Sequence, residues 1–299
     1  MFWRHAFAIK GSITPHVMPN VAFMGLFATA VCLGSWFIWK YFGLKIGLTV
    51  APYELIGAAL GLLLVLRTNG GYERWWEARK LWGGIVNQCR NLAIDAAVYG
   101  PKDSRWQADF RNLIAAFPYI AGANLRNQKP PKQVSHLLGD SVAEQLGNTV
   151  HMPSSIVAAM AKMLQEARDE FSMDGFSFIQ IDRERATLIE HIGACERIKN
   201  TPLPLAYSIK IRRFIATFLL TLPFALIHDV GNNWLVPLIT MLVAYPLFAL
   251  DQLGVELQNP FDSKNLSHLP LDDISDTVEK NVLTLSALPL AVAEVAQSS

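Results

Sequence analysis

Residues 21–42 read VAFMGLFATAVCLGSWFIWKYF, and this stretch decides the class of fold. Trp36, Trp39 and Tyr41 lie near its far end. About 20 consecutive apolar residues cross the hydrocarbon core of a bilayer as one helix. Because Trp and Tyr side chains gather at the membrane–water interface, these aromatic residues indicate where the helix leaves the bilayer. The stretch therefore predicts a membrane-spanning helix.

The composition of the whole chain agrees with a membrane protein. Of its 299 residues, 52% are hydrophobic and only 17% are charged, whereas roughly 25% are charged in soluble domains. The formal net charge of +1 gives no sign of the basic surface that nucleic-acid binding requires, so no nucleic-acid partner is expected. The three cysteines are scattered and odd in number, which predicts no disulfide framework.

Three further apolar stretches follow, at 51–66, 214–227 and 234–250. The last two flank the short linker HDVGNN, and each is shorter than an isolated membrane-spanning helix should be. They are therefore either helices of a soluble core or spans that other helices shield from lipid. Their hairpin spacing and uniformly apolar faces favour shielded spans. The sequence thus predicts an all-α membrane protein with four transmembrane helices.

Basic residues near the ends of the spans predict the topology. They flank each proposed inner end, and the linker between the third and fourth spans contains no Lys or Arg. Because cytoplasmic loops carry the excess of Lys and Arg, both termini and the middle region are predicted to be cytoplasmic. Four domains follow: residues 1–66 with the first two spans, a cytosolic helical region at 67–212, the other two spans at 213–252, and a cytosolic C-terminal strap and tail at 253–299.

The sequence lacks the motifs of enzyme chemistry. No P-loop, nucleophile elbow, H-E-x-x-H or C-x-x-C pattern occurs, so neither an enzyme nor a cofactor is predicted. His191 and Cys195 lie one helical turn apart, but two candidate ligands are too few for a metal centre. A hydrogen-bonded His beside a core Cys is the commoner arrangement, and no metal site is predicted.

The second span carries two features on neighbouring faces of one helix. Gly57 and Gly61 form a G-x-x-x-G pattern, which lets helix backbones approach closely in a membrane. Ala58, Leu62 and Leu66 repeat every four positions and form an apolar face about 100° around the helix. This face suits either the lining of a narrow pore or the core of a helix bundle, and spacing alone does not separate the two.

A dense cluster of charged and aromatic residues, LRTNGGYERWWEARKLWGG at 66–84, follows this span directly. Its pattern is typical of a juxtamembrane helix. In such a helix Trp75, Trp76 and Trp82 would lie at the membrane interface, and the Arg side chains would extend past them to water.

Three segments resemble the bestrophin family in the right order along the chain. They are GLLLVLRTNGGYERWWEARKLWGG at 61–84, which resembles the pore-lining helix and the signature after it, NTPLPLAY at 200–207, and ELQNPF at 256–261. The resemblance implies a homopentamer around one central pore. Each subunit would have four transmembrane helices and a large cytosolic helical part.

The bestrophin resemblance also assigns the narrow parts of the pore. The hydrophobic neck of the family falls on Ala58, Leu62 and Leu66, the apolar face that repeats every four positions. A second constriction, the cytosolic aperture, falls on Leu203. Bestrophins usually have bulkier residues at the first neck position, so Ala58 implies a neck that is shorter or wider there.

Two departures from the family pattern affect the expected function. Eukaryotic bestrophins follow N-P-F with a tight acidic cluster that helps to bind Ca²⁺, whereas here the paired acids Asp272 and Asp273 come much later. Gating by Ca²⁺ in that manner is not expected. Glu54 lies one turn before Ala58, where five copies would form a ring that attracts cations at the outer mouth. In the first turn after Pro52, it is equally compatible with stabilisation by the helix dipole.

The sequence thus predicts a channel in the bacterial inner membrane that passively conducts small monovalent ions. Eukaryotic relatives in the family conduct chloride and some bacterial relatives favour cations such as sodium, and Glu54 shifts the expectation only slightly toward cations. The expected partners are other copies of the chain, membrane lipids and the permeant ions. The alternative is a membrane-anchored scaffold, whose cytosolic helices bind a partner protein.

Overall fold

The computed structural model describes Ala8, residues 11–229 and residues 233–285. All regular elements in these residues are helices, which confirms the predicted all-α class. In chain order the α-helices are α1 (Thr14–Phe42), α2 (Ala51–Tyr99), α3 (Ser104–Leu125), α4 (Lys132–Leu138), α5 (Asp140–Gly147), α6 (Met152–Glu170), α7 (Gly175–Asn200), α8 (Leu205–Asp229), α9 (Val236–Glu256) and α10 (Leu271–Thr284). A short 3₁₀ helix at Asn233–Leu235 precedes α9.

Helices α1, α2, α8 and α9 are long and apolar enough to cross a membrane, and they correspond to the four predicted spans, the fourth of which begins in the 3₁₀ helix before α9. The last two are longer than their apolar stretches, with 25 residues in α8 and 21 in α9. At about 1.5 Å per residue, each reaches the roughly 30 Å of a hydrocarbon core. Both helices continue past the apolar stretch through charged residues such as Lys210 and Asp251. The length of the apolar stretch alone therefore underestimates the length of the helix.

Helix α2 runs without a break for 49 residues, far past the predicted end of the second span at Leu66. At about 1.5 Å per residue it is roughly 74 Å long, so only part of it fits inside a bilayer. Gly70 and Gly71 lie within it, although each costs about 1 kcal/mol relative to Ala in a helix. Gly71 allows a close approach, because a Cβ there would lie 3.1 Å from Cβ of Leu257.

The described residues form two compact units. The first contains α1, the part of α2 up to Trp76, helices α8 and α9 and the segment that ends at His268. The second contains the part of α2 from Glu77, helices α3 to α7, and α10. The predicted domain boundaries fall inside α2, α8 and α9 rather than between the units. The helices continue through the first charged residues, so that Arg67 and Arg212 pack within the first unit.

The core of the first unit is made by the four candidate spans. Its buried residues are Met24, Leu60, Leu64, Ile211, Ile215, Phe218, Leu219, Leu222, Ala244 and Leu247. Helix α1 crosses α9 closely at Gly25, where a Cβ would lie 2.6 Å from Sδ of Met241. Large apolar side chains on the outside of this unit, such as Phe23, Leu26 and Leu242, are exposed. An apolar surface of this kind fits contact with lipid.

Helix α3 forms the centre of the second unit. Its N-cap is Asp103, whose Oδ1 accepts the backbone N–H of Trp106 at 2.7 Å, and most of its second half is buried. Residues of the other helices complete this core, among them Trp82, Ile85, Leu92, Ile156, Met160, Leu188, Ile192, Val278 and Val282. The placement of Trp82 at the membrane interface is therefore wrong, because its side chain is fully buried and faces Gly122 of α3.

Candidate functional site

The first part of α2 has two faces with different surroundings. Leu60 and Leu64 are buried in the core of the first unit. Ala58, Leu62 and Leu66 are exposed, Leu62 by 62% and Leu66 by 54%. These three residues, called the α2 stripe below, lie four positions apart and so on one side of the helix. The structure therefore places the predicted neck residues together, on a face that the other described residues leave largely exposed.

Glu54 extends the α2 stripe by one turn toward the start of the helix. It lies in the first turn of α2, and its side chain is exposed. Its carboxylate is one turn from Ala58 on the same side of the helix. This position is compatible with both expected roles, a charge at the mouth of a pore and a favourable interaction with the helix dipole.

The two glycines of the G-x-x-x-G pattern have different neighbours. A Cβ at Gly57 would lie 3.4 Å from Cζ of Phe218, so this glycine packs against α8 of its own subunit. A Cβ at Gly61 would meet no atom of the described residues within 4 Å. Gly61 thus lies on an open side of the helix, where another chain has room to approach.

Leu203 lies beside the continuation of the α2 stripe. It belongs to the non-helical segment between α7 and α8, where Pro202 and Pro204 interrupt the helical backbone. Its Cδ2 is 3.9 Å from the position that a Cβ would have at Gly70, and Gly70 is one turn beyond Leu66. Leu203 therefore places an apolar side chain beside Gly70, a position of α2 that has no side chain of its own.

Arg74 connects the three segments that carry the family resemblance. Its Nη1 donates to the carbonyl oxygen of Thr201 at 2.6 Å, and its Nε and Nη2 donate to the carbonyl oxygen of Gln258 at 3.4 and 3.3 Å. The neighbouring Trp75 donates from Nε1 to the carbonyl oxygen of Ser267 at 2.7 Å. Sequence reasoning missed this role and treated the Arg side chains here as extending to water. The only signal was indirect, namely that all three segments belong to one family pattern.

Arg67, Asp251 and Arg212 form a charged cluster that sequence reasoning also missed. Arg67 is only 1% exposed and donates from Nη1 to Oδ1 of Asp251. Arg212 donates from Nε to Oδ2 of the same carboxylate at 3.0 Å. Helix α9 approaches closely because residue 254 is glycine, where a Cβ would lie 3.3 Å from Nε of Arg67. The sequence contained one indication of this cluster, namely ionisable residues at the edges of apolar spans. Such residues are rare and are usually paired with one another.

Comparison with known proteins identifies the family. Residues 1–284 match the family described as bacterial and fungal bestrophin proteins. The chain belongs to the bestrophin family. A relative from Ralstonia nicotianae is 30% identical over 291 residues, which cover 96% of this bestrophin and 93% of the relative. A relative from Synechocystis is 31% identical, and the match covers 94% of this chain and 90% of the relative. A relative from Escherichia coli is 30% identical, and the match covers 95% of this chain and 91% of the relative. All three are named voltage-dependent anion channel-forming proteins.

A solved structure supports the fold of this bestrophin. The crystal structure of a bacterial bestrophin homologue from Klebsiella pneumoniae matches with a TM-score of 0.81 at 24% sequence identity. The match covers 91% of this chain and 98% of the Klebsiella chain. The arrangement of helices is therefore shared, whereas the chemistry of individual side chains has to be argued from this chain itself.

The segment after N-P-F in this bestrophin is held by hydrogen bonds rather than by an acidic cluster. The Glu256 carboxylate accepts the backbone N–H of Leu266 at 2.7 Å, and Asn265 donates from Nδ2 to the carbonyl oxygen of Asn259 at 2.9 Å. Asp272, one of the later acids, forms a salt bridge within the second unit, in which its Oδ1 lies 2.7 Å from Nη1 of Arg126. Across the described residues, no group of three His, Cys, Asp or Glu side chains is placed to hold a metal ion.

His191 and Cys195 take part in the packing of the second unit. A Cβ at Gly84 would lie 2.7 Å from two ring atoms of His191, so α7 and α2 are in close contact there. Cys195 is fully buried, and burial raises the pKa of its thiol to about 12.

Proposed function

We propose that this bestrophin is an ion channel that passively conducts small monovalent ions, as a homopentamer in the inner membrane with both termini cytoplasmic. The observation that carries the proposal is the exposed α2 stripe on a helix whose other side is buried. Four candidate spans in each subunit and relatives named as channel-forming proteins support it. Both the family and these names point to a channel rather than an enzyme.

In a pentamer, the α2 stripe would form successive rings of methyl groups around the axis. Ions lose water there without gaining polar partners, so passage through the rings limits conduction. Ala58 is small, so the rings of Leu62 and Leu66 would be the tighter ones. Leu203, which lies beside Gly70, would form a separate ring at the cytosolic end of the same path.

The sign of selectivity depends on charges outside the apolar rings, and two observations favour opposite signs. The exposed Glu54 lies one turn from Ala58, and a ring of carboxylates raises the local concentration of cations. The relatives from Ralstonia nicotianae, Synechocystis and Escherichia coli are named for anions. We propose cation preference from the residues of this chain, with anion preference as the second candidate.

Single-channel recording in planar bilayers tests the neck. Replacing Leu62 and Leu66 by Ala removes most of the apolar bulk of the α2 stripe, so the conductance should rise severalfold without loss of assembly. Ile56→Ala is the matched control, since Ile56 is an exposed apolar residue of the same helix that lies about 120° around it from Leu62. Equal currents in the wild type and in the double variant would show that this face does not line the limiting part of the pore.

Reversal potentials in asymmetric NaCl determine the sign of selectivity on the same protein. A potential near the equilibrium value for Na⁺ supports the cation proposal, and one near the value for Cl⁻ supports the second candidate. Leu203→Ala should change conductance independently of the double neck variant, because it alters a different ring. Because the resistances of two constrictions in series add, widening both should raise the conductance more than widening either one alone.

A further inference from the structure

A cavity of about 480 Å³ lies in the first unit, between the first half of α1, residues 212–220 of α8 and the end of α9. Its polar lining comes from His16, Asn20, Arg212, Asp251 and Gln252. Its apolar lining comes from positions further into the helices, including Phe23, Ala216, Leu220 and Phe248. The cavity is thus amphipathic, and its volume lies within the roughly 300–1,000 Å³ that is usual for small-molecule sites.

The polar end of the cavity carries an excess of positive charge. Arg67 and Arg212 share one carboxylate, that of Asp251, which leaves one positive charge without a counter-ion in the cluster. The side chain of Arg212 is 56% exposed, and its only acceptor within the described chain is Asp251, which its Nε contacts. Nε and Nη2 of the buried Arg67 also have no acceptor there. Guanidinium groups of this kind favour a ligand with anionic oxygens.

The apolar part of the cavity indicates the rest of the ligand. Phe23 and Leu220 line it and are themselves exposed, so the cavity opens onto the apolar surface of the first unit. The three helices around it are candidate membrane spans. A free phosphate ion would use only the charged end and would leave the apolar walls in contact with water.

We infer that this cavity binds an anionic phospholipid of the membrane. The phosphate accepts hydrogen bonds from the terminal amino groups of Arg212, and an acyl chain lies against Phe23 and Leu220. Its position beside Lys210, Arg212 and Arg213 of α8 agrees with the cytoplasmic leaflet, where anionic lipids attract Lys and Arg. This site is distinct from the α2 stripe, and its occupation does not require that the protein conducts ions.

Native mass spectrometry of the purified full-length protein tests the charged end. Phosphatidylglycerol should bind more tightly than phosphatidylcholine, and Arg212→Gln should weaken its binding by about tenfold, as expected for the loss of one charge-assisted contact. Arg213→Gln is the matched control, because Arg213 is the next residue, is exposed and lies outside the cavity lining. An equal loss in both variants would show general attraction to a basic surface and would overturn the proposal.

A second variant tests the apolar part without changing any charge. Ala216→Trp fills the cavity from α8, and because Ala216 is exposed, the larger side chain does not enter the protein core. It should abolish the preference for bound phosphatidylglycerol. Retention of the lipid in this variant would refute the site. Displacement of the lipid from the wild type by an equal concentration of inorganic phosphate would show that acyl contacts contribute nothing, and would also overturn the proposal.

Discussion

The two faces of the first part of helix α2 are similar in composition and opposite in burial. Leu64 is 0% exposed and packs with Leu60 in the core of the first unit. Leu62, only two residues away, is 62% exposed and belongs to the α2 stripe. In a water-soluble protein a row of exposed Leu residues would be an aggregation hazard. Within a membrane both faces are tolerated, because lipid is as apolar as the protein core.

The comparison teaches that hydrophobicity does not separate a buried face from an exposed face in a membrane helix. What separates them is the neighbour that each face meets. The buried face meets α8 through Gly57 and Phe218, whereas the other face is exposed, and a Cβ at the neighbouring Gly61 would meet no atom of the described chain within 4 Å. The following substitutions test whether the two faces really have different roles.

The largest effect on stability is expected for Leu64→Ala. Loss of a fully buried Leu from a membrane core leaves a cavity and should lower the free energy of unfolding by about 2–5 kcal/mol. Leu62→Ala, the same change on the exposed face, should stay within about 0.5 kcal/mol of wild type. Denaturant unfolding of the detergent-purified protein measures both. A similar loss in the two variants would contradict the assignment of separate faces.

An intermediate effect is expected for the two glycines, with a different readout for each. Gly57→Leu places new methyl groups against Phe218 and should lower the stability of the subunit by about 1–3 kcal/mol. Gly61→Leu should leave the subunit folded but weaken the pentamer, because it blocks close approach of a neighbouring chain. Native mass spectrometry reports the assembly state. Gly61→Ala is the control, and a Gly61→Leu variant that remains fully pentameric would place Gly61 away from any interface.

The smallest effect on stability is expected for Glu54→Gln. If its ring faces the pore, cation preference falls and the free energy of unfolding changes by less than about 0.5 kcal/mol. We expect this result, which reversal potentials in asymmetric NaCl would reveal. A loss of about 0.3–1 kcal/mol with unchanged selectivity would instead assign Glu54 to the helix dipole.

The helical class and the α2 stripe were predictable from the sequence, because both depend on local periodicity. Ala58, Leu62 and Leu66 are brought to one side by helix geometry alone, whatever surrounds them. The lengths of α8 and α9 were harder to predict, since charged residues at a membrane edge end an apolar stretch without ending the helix.

Contacts between distant residues were beyond the reach of sequence patterns. Asp251 pairs with Arg67 across 184 positions, and nothing in the spacing of either residue identifies its partner. The interpretation of Trp82 as interfacial was wrong because Trp suits both a membrane interface and a protein core. Gly57 and Gly61 share one pattern but have different neighbours, since four residues span slightly more than one turn of a helix.

The pairing of Arg67 with Asp251 has a consequence for biosynthesis. At the usual rate of about 5–20 residues per second, a ribosome needs roughly 10–40 s to proceed from Arg67 to its counter-ion, which lies 184 residues later. During that interval the second span is complete but its guanidinium has no carboxylate, and an unpaired charge is costly in hydrocarbon. The nascent chain must therefore keep Arg67 at the level of the lipid headgroups until α9 has been made. The buried pair, and with it the packing of α9 against α2, can thus form only near the end of translation.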